Sequence, residues 1–392
     1  MDTFAFVVEI IAALLTLSGI AYGLIAVFAA RGFEREICAT DRSLAVVPGV
    51  SILKPVKGVD PRMYAGFVSH CVQQYVGPVE LIFGVSSLDD PAVELVAKLR
   101  VEYPQMAIQL VECSERLGMN GKVSNLAQMV RHARFEHVVV NDGDIVVSPH
   151  YLERVTQGFA DEKIGLVTAP YIGIAERGLW SRLEALGIAT DFFAGVLTAR
   201  KLEGGIRFGL GSTLATTKTA LASIGGFESL VDQLGDDYEL GARLAAKGYG
   251  VVLAHEVVAT AVPAYSLRGF CEHQLRWSRS TRDSRRGGYL GLGLTYVLPW
   301  AIAVVIASGV SLWSLCLLSV ALLVRVAVAL NVGVGVLRDG QVLRDIVLLP
   351  LRDSFGLFFW AWSYASDEVV WRGERFRLRR GKLNPLGSTS GL

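Results

Sequence analysis

Three pairs of carboxylates in this chain have the types and spacing to do chemistry: Asp142 and Asp144 around Gly143, Asp89-Asp90, and Asp236-Asp237. The first pair comes after the run Phe135 to Val140, where Val138, Val139 and Val140 are consecutive and β-branched. That run reads as a short strand buried on both faces. In an open α/β sheet, ligands collect at the carboxyl ends of strands. Alternation along an extended chain would put both carboxylates on one side, with Gly143 letting a ligand approach the backbone. Two hard oxygen donors so placed suit Mg²⁺ or Mn²⁺ shared with a phosphate. An Asp-Gly-Asp turn between strand and helix accounts for the same residues.

Each other motif carries a similar choice. Asp89-Asp90 lies between a strand and Pro91, so a carboxylate there could accept hydrogen bonds from a uracil or ribose, or cap the next helix. Asp236-Asp237 opens a helical stretch, where a general base and a cap compete. Lys54, Lys57, Lys122 and Arg276 are the cations available to a diphosphate. His273-Gln274-Leu275-Arg276-Trp277 lies among Arg268, Arg279 and Arg282. A helix on a membrane surface explains those arginines and the Trp. It does not explain their place between an Asp-Asp helix and long apolar runs.

The elements that must position these residues alternate. Strands are expected at Val50 to Leu53, Val79 to Val85, Ala107 to Glu112, His137 to Asn141, Gly165 to Ala169 and Ser212 to Thr216. Helices are expected at Pro61 to Tyr75, Pro91 to Tyr103, Lys122 to Ala133, Glu176 to Arg200, Thr217 to Ile224 and Asp236 to Lys247. This βαβ order implies a parallel sheet covered by helices on both faces, an α/β unit of about residues 47–286.

The chain is apolar, with 52% hydrophobic and 19% charged residues, both shifted in the membrane direction. A net charge of +1 gives no reason to expect a polyanion, and no nucleic-acid motif appears. The five cysteines, Cys38 included, have no framework spacing and fit a reducing compartment or core packing. The six histidines lack zinc-site spacing.

Ile10 to Ala30 is long and apolar enough for a bilayer helix, and its leader carries Asp2 and Glu9 but no basic residue, unlike a signal peptide. Residues 1–35 therefore read as an anchor, and Arg31 and Arg35 weakly place the α/β unit in the cytosol. Thr295 to Val310 and Leu312 to Leu337 are each of spanning length; Arg325 within the second would snorkel or face a partner. Residues 289–392 form a C-terminal membrane region, with a segment near 343–366 that crosses or lies in the interface. It ends in a basic tail (Arg372, Arg375, Arg377, Arg379, Arg380, Lys382) suited to a cytosolic anionic surface.

Taken in order, these motifs resemble the family 2 glycosyltransferases with a GT-A fold, most closely the ceramide glucosyltransferase type. The resemblance rests on 53–61 (LKPVKGVDP), Asp89-Asp90-Pro91, 118–126 (GMNGKVSNL), the Asp142 motif, Gly225-Gly226-Phe227, Asp236-Asp237-Tyr238, Arg276-Trp277 and Trp371-Arg372-Gly373. It implies a Rossmann-like, mostly parallel sheet with transmembrane helices at both ends. The family pattern D…D(xD)…D…(Q/R)xxRW falls on Asp90, Asp142, Asp237 and Arg276-Trp277. His273 replaces the usual Gln or Arg, and Asp236 the usual Glu. The implied reaction is inverting transfer of a hexose from a UDP-sugar to a membrane lipid, such as UDP-glucose to ceramide. Asp90 would contact the nucleoside, Asp142 and Asp144 the metal and diphosphate, and Arg276 the diphosphate. Trp277 would wall the sugar or acceptor, Lys122 and Asn125 would touch the donor, and Asp237 would be the base. Asp89, Asp236 and His273 are left without a settled role. A hopanoid polyol acceptor with UDP-N-acetylglucosamine and a processive polysaccharide synthase are the rival readings. The implied address is the cytosolic face of a bacterial inner membrane, with several spans.

Overall fold

The computed structural model describes residues 3–39 (backbone alone for 37–39), 47–371 and 374–386. Asp2, the side chain of Cys38, and Arg372-Gly373 of the tail motif lie outside the described residues. Contacts divide the chain into two compact units. One comprises Asp41–Ile174, Gly205–Ala261 and Arg379–Leu392; the other comprises Met1–Thr40, Ala175–Gly204 and Val262–Leu378. Segments 175–204 and 262–286, expected within a 47–286 block, thus cluster with the apolar helices.

The helices in chain order are α1 (Thr3–Ala39), α2 (Met63–Cys71), α3 (Ala92–Glu102), α4 (Gly121–Met129), α5 (Tyr151–Gln157), α6 (Leu179–Gly187), α7 (Phe193–Glu203) and α8 (Lys218–Ser223). They continue as α9 (Asp236–Ala246), α10 (Leu267–Ser284), α11 (Arg286–Leu292), α12 (Val297–Ala307), α13 (Leu312–Val328), α14 (Gln341–Asp345) and α15 (Leu349–Ser363).

The first unit is built on β1 (Val50–Pro55), β2 (Val79–Val85), β3 (Ala107–Glu112), β4 (His137–Val140) and β5 (Ile164–Thr168). After β6 (Tyr171–Ala175) come β7 (Leu214–Thr217), β8 (Gly250–Leu253) and β9 (Val258–Val262), with β6 paired to β9. Seven strands form one sheet in the order β3-β2-β1-β4-β7-β5-β8. The sheet is mostly parallel, as expected, but β7 runs antiparallel to both β4 and β5. A parallel neighbour needs a local crossover. The chain between β5 and β7 instead passes through residues 175–204 of the other unit, so nothing obliges β7 to run with its neighbours. The two-sided burial read from the valines holds. Val139 packs with Ile52, Phe67 and Phe83 on one face, while Val138 and Val140 pack with Leu53, Ile82 and Leu126 on the other.

In the second unit, α1 packs against α7, α12 and α13. Among the described residues, Thr3–Glu36 and Leu312–Val336 are long and apolar enough to cross a membrane, and the bent pair α11–α12 would make a third span. The expected span Thr295 to Val310 forms the shorter α12, which is bent by 46° from α11 before it. Pro299 lacks an N–H and its ring clashes with the preceding turn, so α12 can start only just before it. The expected helix Glu176 to Arg200 is likewise divided, into α6, a π-helical stretch Ile188–Phe192, and α7. The basic tail includes an antiparallel pair, β10 (Glu368–Trp371) with β11 (Glu374–Arg379), to which no secondary structure was assigned from the sequence.

Arg325 faces partners. Its guanidinium donates to both oxygens of Asp353 at 2.9 and 3.1 Å and to Thr190 Oγ1 at 3.1 Å, and it pairs with Asp191. The π-helical stretch is what offers Thr190 and Asp191 side by side, a common use of such bulges. A buried charge in an apolar helix is tolerated in this paired form.

Candidate active site

The polar residue after the three buried valines organises the carboxyl end of β4. Asn141 has no exposed surface. Its amide donates to Tyr151 Oη at 3.0 Å, Ser212 O at 2.8 Å and Thr213 Oγ1 at 3.1 Å, and its Oδ1 lies 3.2 Å from His70 Nε2. A buried amide must find such partners or cost about 1–3 kcal/mol per unmet group. Asn141 therefore joins β4 to α2, α5 and the loop before β7. Sequence reasoning gives this residue no job; its position at the end of a doubly covered strand is the available signal.

The chain then turns. Ile145 N–H donates to Asp142 O at 3.3 Å, so Asp142–Ile145 is a turn and not the extended run expected. Nor is the backbone at Gly143 open to a ligand. A Cβ there would lie 3.1 Å from Met63 and 3.3 Å from Val56, so packing from behind leaves little room for a side chain. The same closeness fixes Gly66 of α2, whose Cβ would sit 2.8 Å from the Gly143 carbonyl. The turn nonetheless presents both carboxylates. Asp144 Oδ2 accepts from Thr260 Oγ1 at 2.6 Å and Ala261 N–H at 2.8 Å, which fixes the group and leaves Oδ1 uncommitted. Asp142 spends Oδ1 on Lys122 Nζ at 2.7 Å.

No cluster of three or more His, Cys, Asp or Glu able to hold a metal occurs among the described residues. Two carboxylates, one oriented by an outer pair of donors, still fit an Mg²⁺- or Mn²⁺-type ion, which binds through one or two carboxylates plus substrate phosphates.

Lys54, one of the cations counted as available to a diphosphate, is fully buried, and its Nζ donates to Asp142 O at 3.0 Å. Burial pulls its pKa down to about 7 against the opposing charges of Asp144 and Asp142. Lys57 is exposed.

Lys122 gathers the second and third motifs. It lies in the first turn of α4, whose N-cap Asn120 accepts from Val123 N–H at 3.2 Å and donates from Nδ2 to Asp236 Oδ1 at 3.4 Å. The Lys122 ammonium lies 3.8 Å from Asp236 Oδ2 as well as against Asp142. Burial works against that ammonium, but Asp142, Asp236 and Asp237 outweigh it and hold its pKa above the ordinary lysine value. Asp237 is pushed up to about 6, first by burial and then by the charge of Asp236. Asp236 is raised too, chiefly by burial. Asp237 Oδ1 accepts from Tyr238 N–H at 2.8 Å. Its Oδ2 would lie 3.0 Å from any Cβ at Gly211, so the glycine keeps that oxygen clear.

Asp90 serves the capping role weighed for it. Both its oxygens accept from Gly58 N–H, at 2.9 and 3.0 Å, and Oδ1 also takes Ala92 N–H at 2.9 Å. Asp89 is exposed and makes a local turn with Ser87. Asn125 is buried, its Oδ1 accepting from Ser86 Oγ at 3.2 Å.

The remaining motif belongs to the other unit. On α10, Phe270, His273, Gln274 and Trp277 share a face by their three- and four-residue spacing. Phe270 stacks on Trp180 at 5.4 Å and meets Phe359 edge-on at 5.8 Å, anchoring that face. His273 Nδ1 lies 2.9 Å from Glu184 Oε2. Arg276 and Trp277 are half-buried, and Trp277 lies 6.4 Å from Phe192. Glu184 and Tyr265 escape sequence reasoning because no motif marks them.

In fold, the chain is similar to a mannosyltransferase from Pyrobaculum calidifontis solved with GDP-Man and Mn²⁺. The TM-score is 0.55 at 19% identity, covering 91% of this chain and 97% of that one. The sheet unit has the GT-A fold. Ceramide glucosyltransferase 3 of Caenorhabditis elegans is 30% identical over 233 residues, 59% of this chain and 50% of that protein. Ceramide glucosyltransferase 1 of the same organism is 30% identical over 204 residues, 52% and 43% respectively. The chain spans about half the length of the curated relatives it matches. A match over residues 11–384, nearly the whole sequence, shows that the chain belongs to glycosyl transferase family 21.

Proposed function

We propose that this protein transfers a hexose from a UDP-sugar to the hydroxyl of a membrane lipid, with inversion and with a divalent ion, and that the pair is UDP-glucose and a ceramide. The observation that carries the reading is the convergence on Lys122 of Asp142, in the turn after β4, and Asp236 at the start of α9. Family membership and relatives named as ceramide glucosyltransferases support the acceptor. The neighbour solved with Mn²⁺ supports the ion.

Asp144 and Asp142 would hold the ion, which when bound neutralises charge on the diphosphate as it leaves. Lys122 adds a fixed positive charge beside Asp142. Asp90 holds the Gly58 loop against α3, and the one or so lone pairs its three hydrogen bonds leave would accept from the nucleoside. Asn125, buried beside Ser86, would touch the donor with Lys122. Asp237 would take the acceptor hydroxyl's proton as its oxygen attacks the anomeric carbon opposite the leaving UDP. A single displacement inverts the centre, and no enzyme nucleophile is required. The motif series assigns Arg276 to the diphosphate and Trp277 to the sugar or acceptor. The helices of bilayer length would hold an acceptor whose tails stay in lipid, with the sheet unit on the cytosolic side.

The test is transfer by purified protein in lipid nanodiscs, given UDP-glucose, UDP-N-acetylglucosamine or GDP-mannose, each with ceramide and with a hopanoid polyol. Mass spectrometry should find a hexosylceramide from UDP-glucose, and the anomeric proton coupling in NMR should show the inverted linkage. A product only from another donor or acceptor would overturn the corresponding half of the reading.

A further inference from the structure

Glu184 is 4% exposed and lies on α6, four residues after Trp180 and so on the face that meets α10. Three groups converge on its carboxylate: His273 Nδ1 at 2.9 Å, Gln274 Nε2 at 3.4 Å and Tyr265 Oη at 3.5 Å. A carboxylate so placed holds the imidazole in the tautomer with hydrogen on Nδ1. The lone pair is then on Nε2, on the far side of the ring, where it meets no partner among the described residues. The side chain keeps 19% of its surface exposed, so Nε2 can be reached.

The ring is also walled. Tyr265 stacks on it at 5.4 Å and 25°, and Trp277 lies tilted at 5.0 Å. One oriented acceptor atom between aromatic walls, in the unit that carries the bilayer-length helices, suits the hydroxyl of an amphipathic molecule. A diphosphate suits it poorly. Phosphate oxygens are acceptors themselves, and the neutral ring offers them a lone pair at Nε2 instead of a hydrogen. Gln or Arg, the residues the motif series otherwise has here, would offer donors.

We propose that the Glu184–His273 pair seats a second hydroxyl of the lipid acceptor, not the one that receives the sugar, with His273 Nε2 accepting its hydrogen bond and Glu184 as the positioning residue. The proposal rests on the acceptor being a lipid alcohol, as in the proposed function.

The test uses the full chain in nanodiscs and two fluorescent short-chain probes, ceramide and its analogue methylated on the secondary hydroxyl, which cannot donate there. Wild type should bind ceramide about tenfold more tightly than the ether, a difference of ~1.4 kcal/mol. His273→Phe, which keeps the stacked ring and removes both nitrogens, should bind the two probes alike. Glu184→Gln should narrow the gap at least threefold, and it decides the matter if the Phe variant does not fold. A purely structural pair would change both affinities together and leave their ratio alone; that result, or no preference in wild type, overturns the proposal. Intact preference for ceramide in a protein that fails to transfer from UDP-glucose would instead overturn the donor assignment and leave the pair standing.

Discussion

Lys122 Nζ lies 2.7 Å from Asp142 Oδ1 and 3.8 Å from Asp236 Oδ2, so one ammonium ties together carboxylates 94 positions apart in the chain. Without it, three acidic groups would face one another in a partly buried space. Lys122→Met should lower kcat/KM for the UDP-sugar about a hundredfold, a loss of ~2.7 kcal/mol. Lys122→Arg should recover part of this. Steady-state kinetics at saturating metal check it, and a Met variant within threefold of wild type would remove Lys122 from the donor site.

Asp144 is held by Thr260 Oγ1 and Ala261 N–H, neither of which belongs to the motif. Outer donors of this kind typically tune metal affinity by about 10–100-fold. Thr260→Val should raise the Mg²⁺ or Mn²⁺ concentration for half-maximal activity by about tenfold, with kcat at saturating metal near wild type. Asp144→Ala should abolish the metal dependence of UDP binding in calorimetry. If UDP binding to Asp144→Ala still strengthens with metal as in wild type, the ion is held elsewhere.

These two sites show what could be read from residue order alone. Val138 to Val140 announced a doubly covered strand, because three β-branched apolar residues in succession leave neither face for water. The carboxylates at its end were legible for the same reason. That Asp142–Ile145 closes into a turn was not, since it depends on Met63, Val56 and Gly66 crowding Gly143 from α2 and its neighbourhood. The reversed direction of β7 was hidden too, because alternating strands and helices look alike whether or not a connection stays local. Glu184 was invisible at 89 residues from His273, whereas Arg325, a charge in an apolar run, declared its need for a partner.

Lys54 carries a stability signature of opposite sense to a salt-bridged lysine. Its folded-state pKa is lowered to about 7 by burial, below the unfolded value of 10.5. The unfolded chain therefore binds more protons between these values, and stability rises with pH across that window. Lys54→Met removes the group. Its thermal stability relative to wild type should be greatest below about pH 7 and shrink as pH rises toward 10, as followed by melting of the purified protein. A difference that does not vary with pH would mean that Lys54 stays charged in the fold.

Asp237 offers the sharpest test of a base. Burial and the Asp236 charge raise it to about 6, and the pair titrates together, so the acid limb belongs to both residues. A base works only when deprotonated, so kcat should rise with pH through about 6 and level off above it. Asp237→Asn should cost about 10²–10⁴ in kcat and remove that limb while UDP binding persists. Asp236→Asn is the more telling variant. Deleting a neighbouring negative charge makes the Asp237 proton easier to lose, so the limb should move to lower pH. A limb that stays in place in Asp236→Asn would mean that some other group sets the pH dependence, and a limb that moves up would contradict the sign of the interaction between the two carboxylates.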